Sequence, residues 1–327
     1  MRAIVFDVPG DESVLKIAEV PAPQLTPRGV RIRVRATALN RADLLQRRGF
    51  YPAPPGASAL LGLECSGTVL EVGPEVDEPS FAPGQPVMAL LAGGGYAEEV
   101  VVDAGSVLPV PAALDLVEAG GFPEVFLTVF SNVFQLGGLE RGGTLLVHGG
   151  GSGVGTAAIR MAREAGARCI VTAGDAERCR RCLELGAVVA IDYRKQDFAA
   201  EVMVATEGRG VDVVLDAIGG SYLEGNLRSL AVGGRLVVIG LTGGARAELD
   251  LAQLMLRRLT LIGSTLRARP DAEKARIVRG FMDRFGEALA AGRLLPVIDA
   301  VLPLEQAAEA HRRMAAGGHF GKLILAV

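Results

Sequence analysis

The stretch TLLVHGGGSGVG, residues 144–155, decides the fold. A short apolar run leads into a loop in which five of the eight residues from His148 to Gly155 are glycine. No three of these glycines satisfy G-x-G-x-x-G. The nearest register is Gly150, Ser152 and Gly155, with serine in the middle place. Position is more informative than the letters. The run reads as a strand, and the residues beyond it, with apolar Val154, Ala157, Ala158 and Met161, read as a helix opening at Gly153. Unpaired N–H groups at the start of such a helix, together with its dipole, suit a pyrophosphate. In this reading Gly150 permits the tight turn, Gly155 lets the helix pack closely on the strand, and the Ser152 hydroxyl donates to a phosphate oxygen. The alternative is a glycine-rich turn that binds nothing.

The surroundings argue against that alternative. Downstream, TLLVHG, RCIVTAG, VVAIDY, VDVVLDAIG, RLVVIGL and LTLIGSTL are six apolar runs separated by helical segments. Such alternation predicts a doubly wound parallel sheet buried on both faces. A longer helix is expected over about residues 271–291, and PVIDAVLP…GKLILAV reads as strand, helix, strand. Residues 1–120 differ in texture. Runs such as VRIRVRATAL and GTVLEVG alternate at period two between turn residues, which predicts a small β-rich unit.

Composition sets outer bounds. A chain of 327 residues, half of them hydrophobic and 22% charged, is long enough for two domains of ordinary globular character. A net charge of −3 with dispersed arginines gives no electrostatic reason to expect nucleic acid or a membrane surface as partner. The start, MRAIVFDVPGDES, lacks the apolar core of a signal peptide, and four cysteines are too few for a disulfide scaffold. A reducing cytoplasm is the expected location.

ALNRADLLQRRGFYPAPPGAS and LGLECSGTVLEVG near the start, HGGGSGVGTAAI, TAGDAERC…LGA…IDYRKQDF and LDAIGGSYLEGNL in the middle, and GKLIL at the end together resemble the medium-chain dehydrogenase/reductase superfamily. The likeness is narrower to its zinc-independent quinone oxidoreductases, close to the p53-inducible subfamily. It implies a GroES-like β domain (residues 1–122, with 268–327 returning to it) interrupted by a Rossmann domain (123–267), with the active site in the cleft between them. It also implies a homodimer. The apolar run LTLIGSTL, as an open sheet edge, points the same way.

A metal-bearing relative would place a zinc-ligating Cys at Asn40 and a zinc-ligating His at Leu63, so no metal is expected here. Cys65, Cys169, Cys179 and Cys182 lack the spacing of a structural zinc lobe. The pair Cys179-x-x-Cys182 falls on a predicted helix, where packing is the simpler role. His148, His311 and His319 are too scattered for a cluster, and His148 reads as structural. Glu64, in GLECSG, is expected to be structural and paired with an internal arginine.

Without a metal, the acceptor itself has to spread the developing charge. Quinones and other activated carbonyls or enones do so by conjugation. The resemblance places Asn40 and Tyr51 as catalytic candidates facing the nicotinamide cleft, with Asp43 nearby, and Thr128 at the carboxamide. Tyr51 could orient or protonate the reduced oxygen, water could supply the proton, or the ring could simply pack beside Pro52. Asn40 could instead cap a helix starting at Ala42. Along the cofactor the family register places Gly150, Gly151, Ser152, Gly153, Val154, Gly174, Arg178, Tyr193, Gly240, Leu241, Leu266 and Lys322.

Cofactor choice divides the signals. Asp175 lies twenty residues after Gly155, the spacing of an acid that binds the ribose 2′-OH of NAD. The family resemblance says otherwise: its register, counted back from Leu185-Gly186-Ala187, puts the acid's usual position at Ala173, with Asp175 in the turn and free to cap the helix starting at Ala176. That register sets Arg178 and Tyr193 toward a 2′-phosphate, unless Arg178 is only a solvated helix residue. NADPH is therefore expected, with NADH possible. The expected activity is metal-free, NAD(P)H-dependent quinone reduction. Reduction of enones or enoyl thioesters is the alternative, and a dinucleotide-binding sensor or nucleic-acid-associated protein is a second.

Overall fold

The computed structural model describes residues 1–77 and 79–327. It divides into two compact units, Thr128–Thr265 and the pair of segments Met1–Leu127 and Leu266–Val327.

In the contiguous unit the strands Thr144–His148, Arg168–Ala173, Val189–Asp192, Val211–Asp216, Leu230–Val238 and Thr260–Gly263 form one sheet, every neighbouring pair parallel. Counted along the chain, their spatial order is third, second, first, fourth, fifth, sixth. That is the doubly wound order of a Rossmann sheet, and its direction reverses beside the first strand. The alternation read from sequence thus gives the parallel sheet it predicts. Leu146, Ile170, Val214 and Leu236 bury fully at its centre, as apolar runs covered on both faces do. The last strand is shorter than LTLIGSTL suggests. Only Thr260–Gly263 pair, because Ser264 makes the final ladder bond, to Val238, and the chain then leaves the sheet.

The other unit is built on a seven-stranded sheet whose longest strand, Gly29–Ala38, pairs antiparallel with Glu64–Val72, with Glu99–Asp103 and with Lys322–Ala326. The alternation VRIRVRA is followed to the letter. Val30, Ile32, Val34 and Ala36 are buried, whereas Arg33 and Arg35 face solvent. The C-terminal segment supplies Ile298–Pro303, the helix Ala307–Ala316 and Lys322–Ala326, the strand–helix–strand read from its pattern. The long helix spans Asp271–Ala290.

His148 closes the first Rossmann strand and is structural. Its Nε2 lies 2.6 Å from Asn226 Oδ1 and its Nδ1 3.1 Å from the Thr172 hydroxyl. The Asn226 amide nitrogen donates to Asp216, which turns the Asn226 oxygen toward His148 and fixes the proton on Nε2. Burial pulls the His148 pKa down to about 4, outweighing the bond to Asn226. A base depressed on folding stabilises the protein above its unfolded pKa near 6.5, and that contribution is lost as pH falls toward 4. It amounts to about 3 kcal/mol. Urea unfolding should therefore show wild type losing more stability between pH 7 and pH 4.5 than His148→Gln does. Equal losses would show that His148 carries no such linkage.

Candidate active site

In the Rossmann unit the glycine loop joins the carboxyl end of the first strand to the helix Gly153–Glu164, at the point where the strand order reverses. The tight turn is made by Gly149, at φ +76°, and not by Gly150. Gly150 is needed for a different reason. A Cβ there would stand 2.7 Å from Val171 Cβ and 3.0 Å from Cys182 Sγ. Gly155 packs as expected: a Cβ on it would fall 2.3 Å from the Gly149 carbonyl oxygen. Ser152 caps the helix, its Oγ accepting from the Gly155 amide at 3.0 Å, and its hydroxyl hydrogen remains available to a ligand. Gly151 is buried in the turn, while Gly153 and Val154 open the helix half-exposed. A backbone without side chains at a helix N-terminus fits a pyrophosphate. By contrast, a concavity of about 520 Å³ lined by Arg141, Arg168 and Arg209 sits at the amino ends of the strands, away from this loop.

At the end of the second strand, Gly174, Asp175, Arg178 and Tyr193 come together. A Cβ on Gly174 would lie 3.1 Å from the Tyr193 hydroxyl and 3.6 Å from Arg178 Nη1. Asp175 caps the helix Ala176–Leu185, accepting from the Arg178 amide at 2.8 Å, and its other oxygen lies 3.3 Å from Arg178 Nη1. The acid is thus engaged by its own helix and by the arginine. Cys179 and Cys182 are buried in that helix, and burial holds both thiols above their usual range. Gly240 lies close over Ala217, and Leu241 is more than half exposed. Thr128 precedes a π-helical turn, Phe130–Leu136, and its carbonyl accepts from the Asn132 side chain. Sequence periodicity gave no sign of that turn, a feature often found at functional sites.

Asn40, Tyr51, Leu266 and Lys322 belong to the other unit. Asn40 is locked on both sides: its amide donates to Glu64 at 2.9 Å, and its Oδ1 accepts from Lys322 at 2.8 Å. The helix after it starts at Arg41, and the cap runs in the reverse sense, with Asp43 accepting from the Asn40 amide. The expected arginine partner of Glu64 is corrected. Its buried carboxylate pairs with Lys322 at 2.8 Å and also accepts from the Glu124 amide. The Lys322 ammonium donates to Leu39 O and to Asn40 Oδ1 and pairs with the Glu64 carboxylate, all inside this unit. Leu266 is buried.

Two features escaped sequence reasoning. Arg267, itself buried, donates to Ala92 O, Tyr51 O and Gln46, and its guanidinium lies 5.3 Å from the centre of the Tyr51 ring. Behind Asp43 runs a buried chain of hydrogen bonds. Arg47 donates to His311 Nδ1, which leaves the His311 proton on Nε2 for the Tyr96 hydroxyl. Burial pulls His311 down to about 3 and pushes Asp43 up to about 6. Only the RAR triplet around Arg267 hinted at the first feature, and nothing local hinted at the second.

Neither position assigned to a zinc ligand can serve as one. Leu63 has no donor atom, and Asn40 is saturated by its neighbours. Among the described residues no group of three or more His, Cys, Asp or Glu side chains is placed to hold a metal, and no helix is long and apolar enough to cross a membrane.

Family models place this geometry. Residues 26–112 match the alcohol dehydrogenase GroES-like domain and 153–279 the zinc-binding dehydrogenase domain. The quinone oxidoreductase of Rattus norvegicus is 30% identical, the match covering 99% of this chain and 97% of that protein. The chain belongs to the medium-chain dehydrogenase/reductases, with the zinc-independent quinone oxidoreductases. A phenolphthiocerol/phthiocerol polyketide synthase chain of Mycobacterium tuberculosis is 33% identical over 98% of this chain, which spans only 14% of that protein. Among solved structures, an NAD-dependent alcohol dehydrogenase is 36% identical at TM-score 0.87, and the Escherichia coli quinone oxidoreductase complexed with NADPH is 25% identical at TM-score 0.86. Both cover all of this chain and of their own.

The Asp175–Arg178 geometry generates a cofactor test. Arg178→Ala should lower the NADPH/NADH ratio of kcat/KM, and Asp175→Ser, which keeps a capping side chain, should raise it. A wild type that prefers NADH and turns to NADPH in Asp175→Ser would mean that Asp175 reads the ribose.

Proposed function

We propose that this protein is a metal-free, NADPH-favouring reductase of quinones. The observation that carries the reading is the Tyr51 phenol. Arg267 holds its ring and its carbonyl, yet among the described residues its hydroxyl has no hydrogen-bond partner. Burial first, and the nearby Glu124 second, raise the Tyr51 pKa, so the phenol stays protonated and able to donate. A positioned donor of this kind stabilises charge developing on an acceptor oxygen. When bound, the nicotinamide supplies hydride from its C4. Reduction of a quinone to a hydroquinone then takes that hydride and one further proton, which Tyr51 or water delivers. The likeness to the rat enzyme supports the acceptor, and the NADPH complex of the Escherichia coli enzyme supports the cofactor. The approach of both Arg178 and Tyr193 to Gly174 supports the 2′-phosphate.

The second reading is reduction of enones or enoyl thioesters. It is favoured by the likeness to the polyketide synthase. NADPH oxidation measured with quinones, enones, an enoyl thioester and no acceptor, before and after chelation, separates the two. Turnover that favours the thioester, or that is lost to chelation, overturns the first reading. Within it, Tyr51→Phe should slow quinone turnover about threefold to tenfold while leaving NADPH affinity nearly unchanged. Tyr51→Ala should slow it further, and unchanged kinetics in both would leave Tyr51 a packing residue.

The assembly proposed is a homodimer through the Rossmann edge. Thr260–Gly263 has one neighbouring strand, Leu261 on it is partly exposed, and Leu251, Met255 and Leu256 of the preceding helix lie 66–72% exposed. Light scattering should give twice the mass of one chain. Leu261→Lys should shift it toward the monomer, and a monomeric wild type at micromolar concentration would refute the interface.

A further inference from the structure

Lys274 is buried to 4% exposure in the first turn of the helix Asp271–Ala290, yet its ammonium makes no hydrogen bond among the described residues. The nearest carboxylate oxygen, on Asp271, is 4.0 Å away, and that side chain is two-thirds exposed. The helix dipole gives no help, because a cation is disfavoured at this end. Burial is the first cause lowering the Lys274 pKa, ahead of the opposing pull of Asp271 and Glu124. Glu124 is a weak countercharge, since burial pushes its own carboxyl up to about 8. An ammonium this deep, with its nearest carboxylate 4.0 Å away, is left to be matched by solvent or a ligand in the space it borders.

Lys274 lines a cavity of about 270 Å³ inside its unit. Ser106 lines it too. That residue is 1% exposed, and its hydroxyl likewise has no hydrogen-bond partner among the described residues. The other acids on the wall are already matched. Asp103 pairs with Arg28 at 3.0 Å, and Glu99 shares Arg31, at 3.5 Å, with Glu71. Leu90, Leu91 and Val100, all buried, supply an apolar surface. The cavity therefore offers one unmatched positive charge, one hydroxyl donor and an apolar wall.

We propose that Lys274 and Ser106 form a binding site for the carboxylate of a small amphipathic monocarboxylic acid. A single unmatched charge beside three carboxylates suits a monoanion and disfavours a dianionic phosphate. The site does not depend on which acceptor the enzyme reduces.

Calorimetric titration of the intact protein with benzoate, with the neutral benzamide and with inorganic phosphate tests it. Benzoate should bind at one site per chain, and benzamide at least roughly tenfold more weakly, the loss expected for a charge-assisted contact. Lys274→Met should weaken benzoate by at least a similar factor while leaving Tm unchanged or higher, because methionine keeps the stem without the buried charge. Ser106→Ala should weaken benzoate by a smaller factor. Benzamide binding as well as benzoate, phosphate binding more tightly than either, no benzoate binding at millimolar concentration, or undiminished binding in Lys274→Met would each overturn the proposal. Should Lys274→Met not fold at all, the wild-type comparison and Ser106→Ala still decide.

Discussion

Glu64 and Lys322 are oppositely charged, wholly buried and contributed by strands from far apart in the chain. Removing two such charges from water is expensive, and their attraction repays it only when the remaining donors and acceptors are also satisfied. Here they are. Glu64 pairs with Lys322 and accepts from the Asn40 side chain and the Glu124 amide, and Lys322 donates to Leu39 O and Asn40 Oδ1. Losing either partner would leave the other charge uncompensated, at a cost of about 3–5 kcal/mol. Asn40 owes its fixed orientation to this pair, so the geometry of a candidate active-site residue is set by a contact that only the folded chain contains.

The pair also orders the charges around it. With Glu64 already paired to Lys322, a second carboxylate on Glu124 finds no cation within hydrogen-bond reach, and burial beside Glu64 favours its neutral form. Asp43 is raised less, because the amides of Asn40 and Gly62 oppose its desolvation. A buried hydrogen-bond chain also runs from Arg47 through His311 to Tyr96. Networks of this sort are stiff when complete and costly when broken.

The fold was legible because its signals are local and periodic. Six apolar runs, helices between them and a glycine loop specify a parallel sheet with little ambiguity, and VRIRVRA states which side of its strand is buried. The helix cap by Asp175 was legible for the same reason, since a cap depends on neighbours in sequence. What sequence did not show depends on approach from a distance. Glu64 was expected to meet an arginine, and nothing near it names Lys322. Arg267 reaches Tyr51 from beyond the whole Rossmann segment. The loop glycines were assigned partly wrongly for a subtler reason. Gly149 and Gly150 are equally suited to a left-handed turn, and only the positions of Val171 and Cys182 show that Gly150 is needed for clearance instead.

The pairing of Lys322–Ala326 with Gly29–Ala38 bears on how the protein is made. Translation runs from one end, so the segment from Thr128 to Thr265 has every strand of its own sheet as soon as it clears the ribosome. The other unit has to wait. Until residue 326 is synthesised, Gly29–Ala38 lacks one partner strand, and Glu64 stands without its ammonium beside apolar surface that nothing yet covers. The part of that strand's edge at Ala36–Ala38 therefore stays open until the last strand arrives, while Gly29–Arg33 is already covered by Glu99–Asp103.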